Sequence, residues 1–234
     1  MHRTMTFDKR RGLIEAYFDR TALDAWRQLT SDAPVSKIRA TVRAGRDRMR
    51  SLLLDWLPAE IAGARILDAG CGTGALSFEL ARRGAEVLAV DVSANLIGIA
   101  RERLPPDLAA RSIAFRCGDM LDPAHGDVDF VVAMDSLIHY ETADTVAALA
   151  RLAKRTARSI LFTVAPRTPA LTVMHSVGRL FPRGNRAPAI VPADIGRLAR
   201  AIEADRGLAG WRVGRVDRVM SGFYTSQAIE LVRK

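Results

Sequence analysis

The sequence predicts an α/β protein with a doubly wound, mostly parallel seven-stranded sheet, preceded by an N-terminal helical region. From Ala64 onward, short apolar runs alternate with segments of helical periodicity. Strand–helix–strand units of this length form parallel sheets with right-handed crossovers. In residues 1–58, by contrast, apolar residues recur only at helical spacing. The chain of 234 residues is long enough for one substantial core and short for two full domains.

The N-terminal region, residues 1–58, is expected to form a helical lid over the rest of the chain. A long amphipathic helix is predicted from Val35 to Trp56, and Pro58 marks its end. Shorter helical pieces are expected before it, at Ile14–Phe18 and Leu23–Leu29.

Residues 59–234 are expected to form the core. The five predicted parallel strands are Ala64–Asp68, Glu86–Asp91, Ser112–Cys117, Val128–Met134 and Ser159–Val164. The predicted helices between and after them are Leu76–Arg83, Ala94–Arg103, Thr142–Leu152 and Asp194–Ala204. An insertion rich in Pro, Gly and Arg is expected around residues 165–192. Two last strands, Trp211–Val219 and Phe223–Val232, are expected to close the sheet as an antiparallel pair.

The composition excludes several classes of protein. With 49% hydrophobic and 26% charged residues, the chain is typical of a soluble globular protein. Its first residues contain no apolar stretch of a secretory signal, and no apolar run reaches the ~18 residues of a membrane span. Cys71 and Cys117 are too few for a disulfide framework and lack the spacing of a metal site. We therefore expect a cytoplasmic protein without a bound catalytic metal.

Charge is distributed unevenly along the chain. Residues 1–58 hold 12 Lys/Arg and 7 Asp/Glu, residues 59–150 hold 7 and 14, and residues 151–234 hold 16 and 5. Basic flanks of this kind are typical of proteins that bind nucleic acid, an anionic membrane or a small anionic substrate. The alternative is an arginine-rich, solvated surface without a partner.

A glycine loop is the most specific motif. The segment Asp68-Ala-Gly70-Cys71-Gly72-Thr-Gly74 ends a predicted strand and opens a helix. Its spacing is typical of Rossmann-like methyltransferases, whereas the dinucleotide form of the loop would need glycine in place of Ala75. An acid at the start of the loop would repel a pyrophosphate, but it suits the ammonium and sulfonium charges of S-adenosylmethionine (SAM). The motif predicts SAM as cofactor and S-adenosylhomocysteine (SAH) as product.

Acidic residues at successive strand ends support this prediction. Asp91 lies where such folds place a carboxylate for the ribose hydroxyls, and Asp119 with Met120 suits the adenine. Asp135 ends the fourth strand at the same edge of the sheet. Each aspartate alone could be a helix-capping residue. The predicted cofactor-binding set is Tyr17, Thr30, Asp68, Gly70, Cys71, Gly72, Gly74, Asp91, Val92, Asp119, Met120 and Asp135.

Four further segments lie outside this generic core. They are Tyr17-Phe-Asp-Arg20, residues 29–46, Met134-Asp-Ser-Leu-Ile-His-Tyr140 and residues 162–186, which include Leu180-Phe-Pro-Arg-Gly184. Together with the glycine loop, they resemble the magnesium-protoporphyrin IX O-methyltransferases of chlorophyll and bacteriochlorophyll biosynthesis, the purple-bacterial branch in particular. The resemblance covers roughly residues 14–192.

The resemblance implies an activity and its residues. The family transfers the methyl group of SAM to one propionate carboxylate of magnesium-protoporphyrin IX, and the magnesium belongs to the substrate. It implies Tyr17 and His139 as catalytic candidates. His139 could orient the carboxylate, remove a proton, contact the substrate's magnesium or merely cap a helix; Tyr17 could equally be a core residue. The resemblance also implies hand-over of substrate from the large subunit of magnesium chelatase.

A large macrocycle with two carboxylates needs apolar walls and cations, and arginine's planar fork suits a carboxylate. The insertion supplies both, although an ordinary core-facing helix and solvated arginines remain the alternative. The predicted substrate-binding set is Arg167, Met174, Arg179, Phe181, Arg183 and Arg186. The basic flanks also suggest peripheral contact with an anionic, photosynthetic membrane.

Other functions stay open at this point. One is methylation of a different small anionic acceptor, such as a quinone precursor, and another is a non-catalytic porphyrin carrier. Nucleic acid is not an expected partner, because aromatic residues make up 6% of the chain and do not alternate with basic ones.

Overall fold

A computed structural model describes residues 7–20, 30, 36–108, 112–167 and 190–234. Its helices are α1 (Phe7–Arg20), α2 (Lys37–Trp56), α3 (Ala75–Arg82), α4 (Ala94–Glu102), α5 (Thr142–Ala153) and α6 (Ile195–Ala204). Its strands are β1 (Arg65–Ala69), β2 (Glu86–Asp91), β3 (Ile113–Cys117), β4 (Val128–Ala133), β5 (Thr156–Val164), β6 (Trp211–Ser221) and β7 (Tyr224–Arg233). The predicted helix Leu23–Leu29 lies outside the described residues.

The seven strands described form one sheet, in the order β3-β2-β1-β4-β5-β7-β6. Strands β1 to β5 are parallel, and β7 pairs antiparallel with both β5 and β6. The predicted mostly parallel sheet with an antiparallel C-terminal pair is confirmed. The chain turns from one direction along the sheet to the other between β1 and β4, and ligands of such folds bind in the crevice at this switch point.

Helices cover both faces of the sheet, so its central strands are apolar on both sides. One buried cluster lies between the sheet and α5 and α6, and includes Leu149, Leu152 and Leu198. The other lies on the opposite face, where Met49 and Leu53 of α2 are completely buried.

The two N-terminal helices therefore differ in role. Helix α2 packs against β6, β7 and α3, and it is a layer of the core, because its apolar stripe is buried there. Helix α1 lies at the cavity described below and is longer than predicted. None of the helices in the described ranges has the length and apolarity needed to span a membrane.

Candidate active site

A cavity of about 650 Å³ opens at the carboxyl ends of the central strands. Its walls come from the glycine loop, the end of β2, the loops after β3 and β4, and the facing sides of α1 and α2. It therefore lies at the switch point of the sheet, where the topology predicts a ligand.

The glycine loop turns sharply at the floor of this cavity. Gly70 and Gly74 have φ values of 84° and 83°, a region that side chains other than glycine rarely adopt. A Cβ on Gly70 would lie 2.4 Å from the Cβ of Ser136, and one on Gly74 would lie 2.9 Å from the ring of Phe78. The loop therefore needs glycine at both positions, because a side chain there would clash with Ser136 or Phe78.

Asp68, at the start of the loop, is buried beneath the cavity. Its carboxylate accepts a 2.6 Å hydrogen bond from the hydroxyl of Ser77, which lies on α3. Burial raises the pKa of Asp68 to about 7, and the nearby charge of Asp91 acts in the same direction. The side chain is consequently close to its titration point at neutral pH, and a bound cation would favour the charged form.

Asp91 and Val92 line the cavity at the end of β2. The carboxylate of Asp91 accepts hydrogen bonds of 2.9 Å from the backbone N–H groups of Gly72 and Ser93. It therefore ties the glycine loop to the neighbouring strand, and it faces the cavity at the position predicted for a ribose contact.

Asp119 and Met120 line the cavity after β3. One carboxylate oxygen of Asp119 accepts from the N–H of Leu121 (2.9 Å), and the other accepts from Arg11 of α1 (2.7 Å). His125 is buried in the short 3₁₀ turn Pro123–His125, and its Nε2 lies 2.8 Å from the carbonyl oxygen of Asp119. It helps to hold this part of the wall.

Asp135, two residues after the end of β4, contacts three other elements, and its side chain is 7% exposed. Arg46 of α2 donates to it at 2.9 Å, and the hydroxyl of Tyr224 of β7 donates at 3.1 Å. Its N–H donates to the hydroxyl of Thr163 in β5 at 2.7 Å. The structure therefore shows this predicted cofactor residue at the cavity, with its carboxylate engaged by the protein.

Tyr17, Thr30 and His139 all line the same cavity, although they are far apart in sequence. His139 is buried in a short 3₁₀ turn, Leu137–His139, that follows β4. Burial raises the pKa of the Tyr17 hydroxyl, which favours its neutral, donating form. The hydroxyl oxygen of Thr30 accepts from Arg103 at 2.9 Å.

Two predicted groups do not line the cavity. Gly74 precedes α3 as its N-cap and shapes the loop from outside. Arg167 is exposed, and its backbone N–H donates to the carbonyl of Ala193. The other predicted substrate residues, Met174, Arg179, Phe181, Arg183 and Arg186, lie outside the described residues.

Sequence reasoning missed several residues at the cavity. Arg43, Arg46 and Arg50 line it from α2, and Arg11 lines it from α1. Positions 43, 46 and 50 fall on one face of a helix, so helical spacing is a signal that could have found them. The part played by Tyr224 has no comparable local signal.

Two family models and several known proteins are similar to this chain. The family model "Methyltransferase domain" matches residues 66–158, and "Magnesium-protoporphyrin IX methyltransferase C-terminus" matches residues 133–233. The magnesium-protoporphyrin O-methyltransferase of Rhodobacter capsulatus is 50% identical over 221 residues, which cover 94% of this chain and 95% of that protein.

Solved structures of magnesium protoporphyrin IX methyltransferase from Synechocystis PCC 6803 have the same fold. The one with bound SAH has a TM-score of 0.83 at 30% identity and covers 95% of this chain and 99% of that chain. The one with bound SAM has a TM-score of 0.80 at 25% identity and covers 100% of both chains. The resemblance predicted from the sequence is confirmed: the chain belongs to the magnesium-protoporphyrin O-methyltransferase family.

Proposed function

We propose that this protein transfers the methyl group of SAM to a propionate carboxylate of magnesium-protoporphyrin IX, giving the monomethyl ester. The observation that carries the proposal is one cavity that unites the glycine loop and three strand-end carboxylates with Tyr17 and His139. When bound, SAM supplies a methyl group activated by its sulfonium.

The residues present fit this cofactor. Gly70 and Gly72 present backbone without a side chain to the cavity, which allows a ligand to approach it closely, and the buried Asp68 is suited to an ammonium group. Asp91 is placed to accept hydrogen bonds from the ribose hydroxyls of SAM, and Asp119 is placed to accept one from the amino group of its adenine, because carboxylates are hydrogen-bond acceptors. Arginines of α2 supply the positive charge that a carboxylate of the ligand requires.

The propionate carboxylate that accepts the methyl group needs little acid–base catalysis. A propionate is ionised at neutral pH, so the residues must mainly position it and exclude water. Tyr17 and His139 are the candidates, because a neutral tyrosine hydroxyl and a histidine ring nitrogen can each donate a hydrogen bond that orients a carboxylate. The substrate set Arg167, Met174, Arg179, Phe181, Arg183 and Arg186 stays a prediction.

A methyl-transfer assay tests the proposal. Purified protein with SAM and magnesium-protoporphyrin IX should form the monomethyl ester, followed by chromatography. His139→Ala should lower kcat by about 10²-fold or more, the contribution of a positioned donor or acid–base group. Arg48→Gln, at an exposed position of α2 away from the cavity, is the control and should keep its turnover. No ester with SAM still bound would favour another anionic acceptor, and porphyrin binding without SAM binding would favour the carrier.

The raised pKa of Asp68 predicts that cofactor binding releases a proton. Below about pH 7 the folded protein holds this proton, and an ammonium group beside Asp68 should expel it. Calorimetry at pH 6.5 in buffers of different ionisation enthalpy should show the release, and SAM affinity should fall as the pH is lowered. Asp68→Asn should abolish the release, whereas the exposed Asp107→Asn should keep it. A wild-type protein that binds SAM without releasing a proton would contradict this assignment.

The same shift has a consequence for stability without cofactor. Because the folded-state pKa lies above the unfolded value of 3.8, ionisation costs more in the folded protein. The contribution of Asp68 to the free energy of unfolding therefore falls as the pH rises from about 4 to about 7.

Peripheral membrane contact is part of the proposal. Its support is the excess of 16 Lys/Arg over 5 Asp/Glu in residues 151–234, together with two exposed apolar side chains, Ile38 and Phe223. They lie close together, since the N–H of Phe223 donates to Thr41 of α2. Flotation with anionic liposomes at low salt, but not at high salt or with neutral liposomes, would support it.

Hand-over from the large subunit of magnesium chelatase rests on family membership and on the poor solubility expected of a free magnesium porphyrin. Co-purification of the two proteins with porphyrin present would support it, and its absence under those conditions would count against it.

A further inference from the structure

The turn that carries His139 is held by three different parts of the chain. The carbonyl of Leu137 accepts from the N–H of Tyr140 at 3.2 Å, within the turn itself. The carbonyl of Ile138 accepts from the N–H of Val191 at 2.8 Å. The carbonyl of His139 accepts from the guanidinium of Arg10 at 2.6 Å. A side chain of α1 thus fixes the backbone of the residue proposed to meet the acceptor.

Arg10 is well placed for this contact. Its side chain is 12% exposed, and its second terminal nitrogen lies 3.7 Å from the carboxylate of Glu141. The guanidinium therefore spans a backbone carbonyl and an acidic side chain at the start of α5. A lysine ammonium at this position would lack the planar fork that reaches both.

Arg10 also shares a face of α1 with Tyr17. Positions 10, 14 and 17 follow helical spacing, so the three side chains lie along one side of the helix. Ile14, between them, is buried in the same apolar cluster as Leu137 and Tyr140. The helix that carries Tyr17 is consequently docked on the turn that carries His139.

We propose that Arg10 is a positioning residue: it fixes His139 relative to Tyr17, so that both side chains face one acceptor carboxylate. This inference rests on the proposed function, because it acts through His139. A displacement of about 1 Å at a reacting group can cost about 10²-fold in rate, so loss of the tether should be visible in turnover.

A double-mutant cycle tests this proposal in the full chain. Arg10→Gln should lower kcat about 10-fold to 100-fold, while KM for both substrates and Kd for SAM stay within about 3-fold, because the lost interaction affects the transition state. The kcat of Arg10→Lys should lie between those of wild type and Arg10→Gln. In a His139→Ala background, Arg10→Gln should cost less than about 2-fold further, because its route of action is already removed.

Control variants distinguish the positioning role of Arg10 from a general structural effect. Arg48→Gln removes the same charge from an exposed site and should stay within about 2-fold of wild type. A general loosening of α1 would weaken SAM binding and would lower the rate equally in both backgrounds; that result overturns the role of Arg10. If Arg10→Gln does not fold, the same cycle with Arg10→Lys decides. Normal turnover by His139→Ala would instead overturn the proposed role of His139 and, with it, that of Arg10.

Discussion

Gly70→Ala is expected to lower the affinity for SAM by about 10²-fold or more. The new Cβ would lie 2.4 Å from that of Ser136, so the backbone or the loop after β4 must move. The φ of 84° adds roughly 1–2 kcal/mol of strain for a residue with a Cβ. Both effects act on the surface that faces the cavity, so binding should suffer more than the fold. Calorimetric titration with SAM measures the loss.

Gly98→Ala is the matched control. Gly98 lies in α4, where an added Cβ would meet nothing within 4 Å, and alanine favours a helix by about 1 kcal/mol over glycine. This variant should bind SAM normally and be at least as stable as wild type. Adding Ser136→Gly to Gly70→Ala should restore part of the affinity by removing the clash. SAM affinity unchanged in Gly70→Ala would mean that the backbone at Gly70 is not part of the binding surface.

Much of the site was predictable because it arises from local rules. Asp68 and Asp91 lie within the last two positions of β1 and β2, Asp119 follows β3, and the carboxyl ends of parallel strands meet at one edge of a sheet. Strand positions followed from apolar runs, since strands covered on both faces are continuously hydrophobic. The sequence alone therefore indicated both the edge and the residues that line it.

The supporting contacts were not predictable, because they join residues with no local relation. Arg46 and Tyr224 both contact Asp135, and each lies 89 positions from it. The need for glycine at position 45 also depends on a residue distant in sequence, since an added Cβ would lie 2.5 Å from the ring of Tyr224. A glycine within a helical pattern indicates close packing at most, and it does not identify the partner.

The start of α1 is another case. Apolar periodicity predicted a helix at Ile14–Phe18, whereas the helix begins at Phe7. Periodicity gave no signal for its first turns, because they are mostly polar. Two arginines of these first turns contact residues of the core: Arg10 binds the carbonyl of His139, and Arg11 binds Asp119. Tertiary contacts can extend a helix beyond the range that periodicity indicates.

Asp135→Ala is expected to produce the largest loss of stability. It removes the partner of Arg46 and Tyr224 at a site where the carboxylate is 7% exposed. Breaking a buried pair from one side typically costs about 3–5 kcal/mol. At about 2–4 °C per kcal/mol for a chain of this size, Tm should fall by roughly 6–20 °C. Differential scanning calorimetry measures the change.

Asp135→Asn separates charge from conformation, because asparagine tolerates the φ of 54° and still accepts hydrogen bonds. It should cost less than alanine, about 1–3 kcal/mol, since the ion pair with Arg46 is lost while the contact with Tyr224 persists. The control is Asp107→Ala, whose ion pair with Arg82 is exposed and should contribute less than about 1 kcal/mol. If Asp135→Ala were as stable as this control, the network would not be what holds α2 and β7 to the end of β4. The docking of these elements would then rest mainly on the apolar cluster that includes Met49 and Leu53.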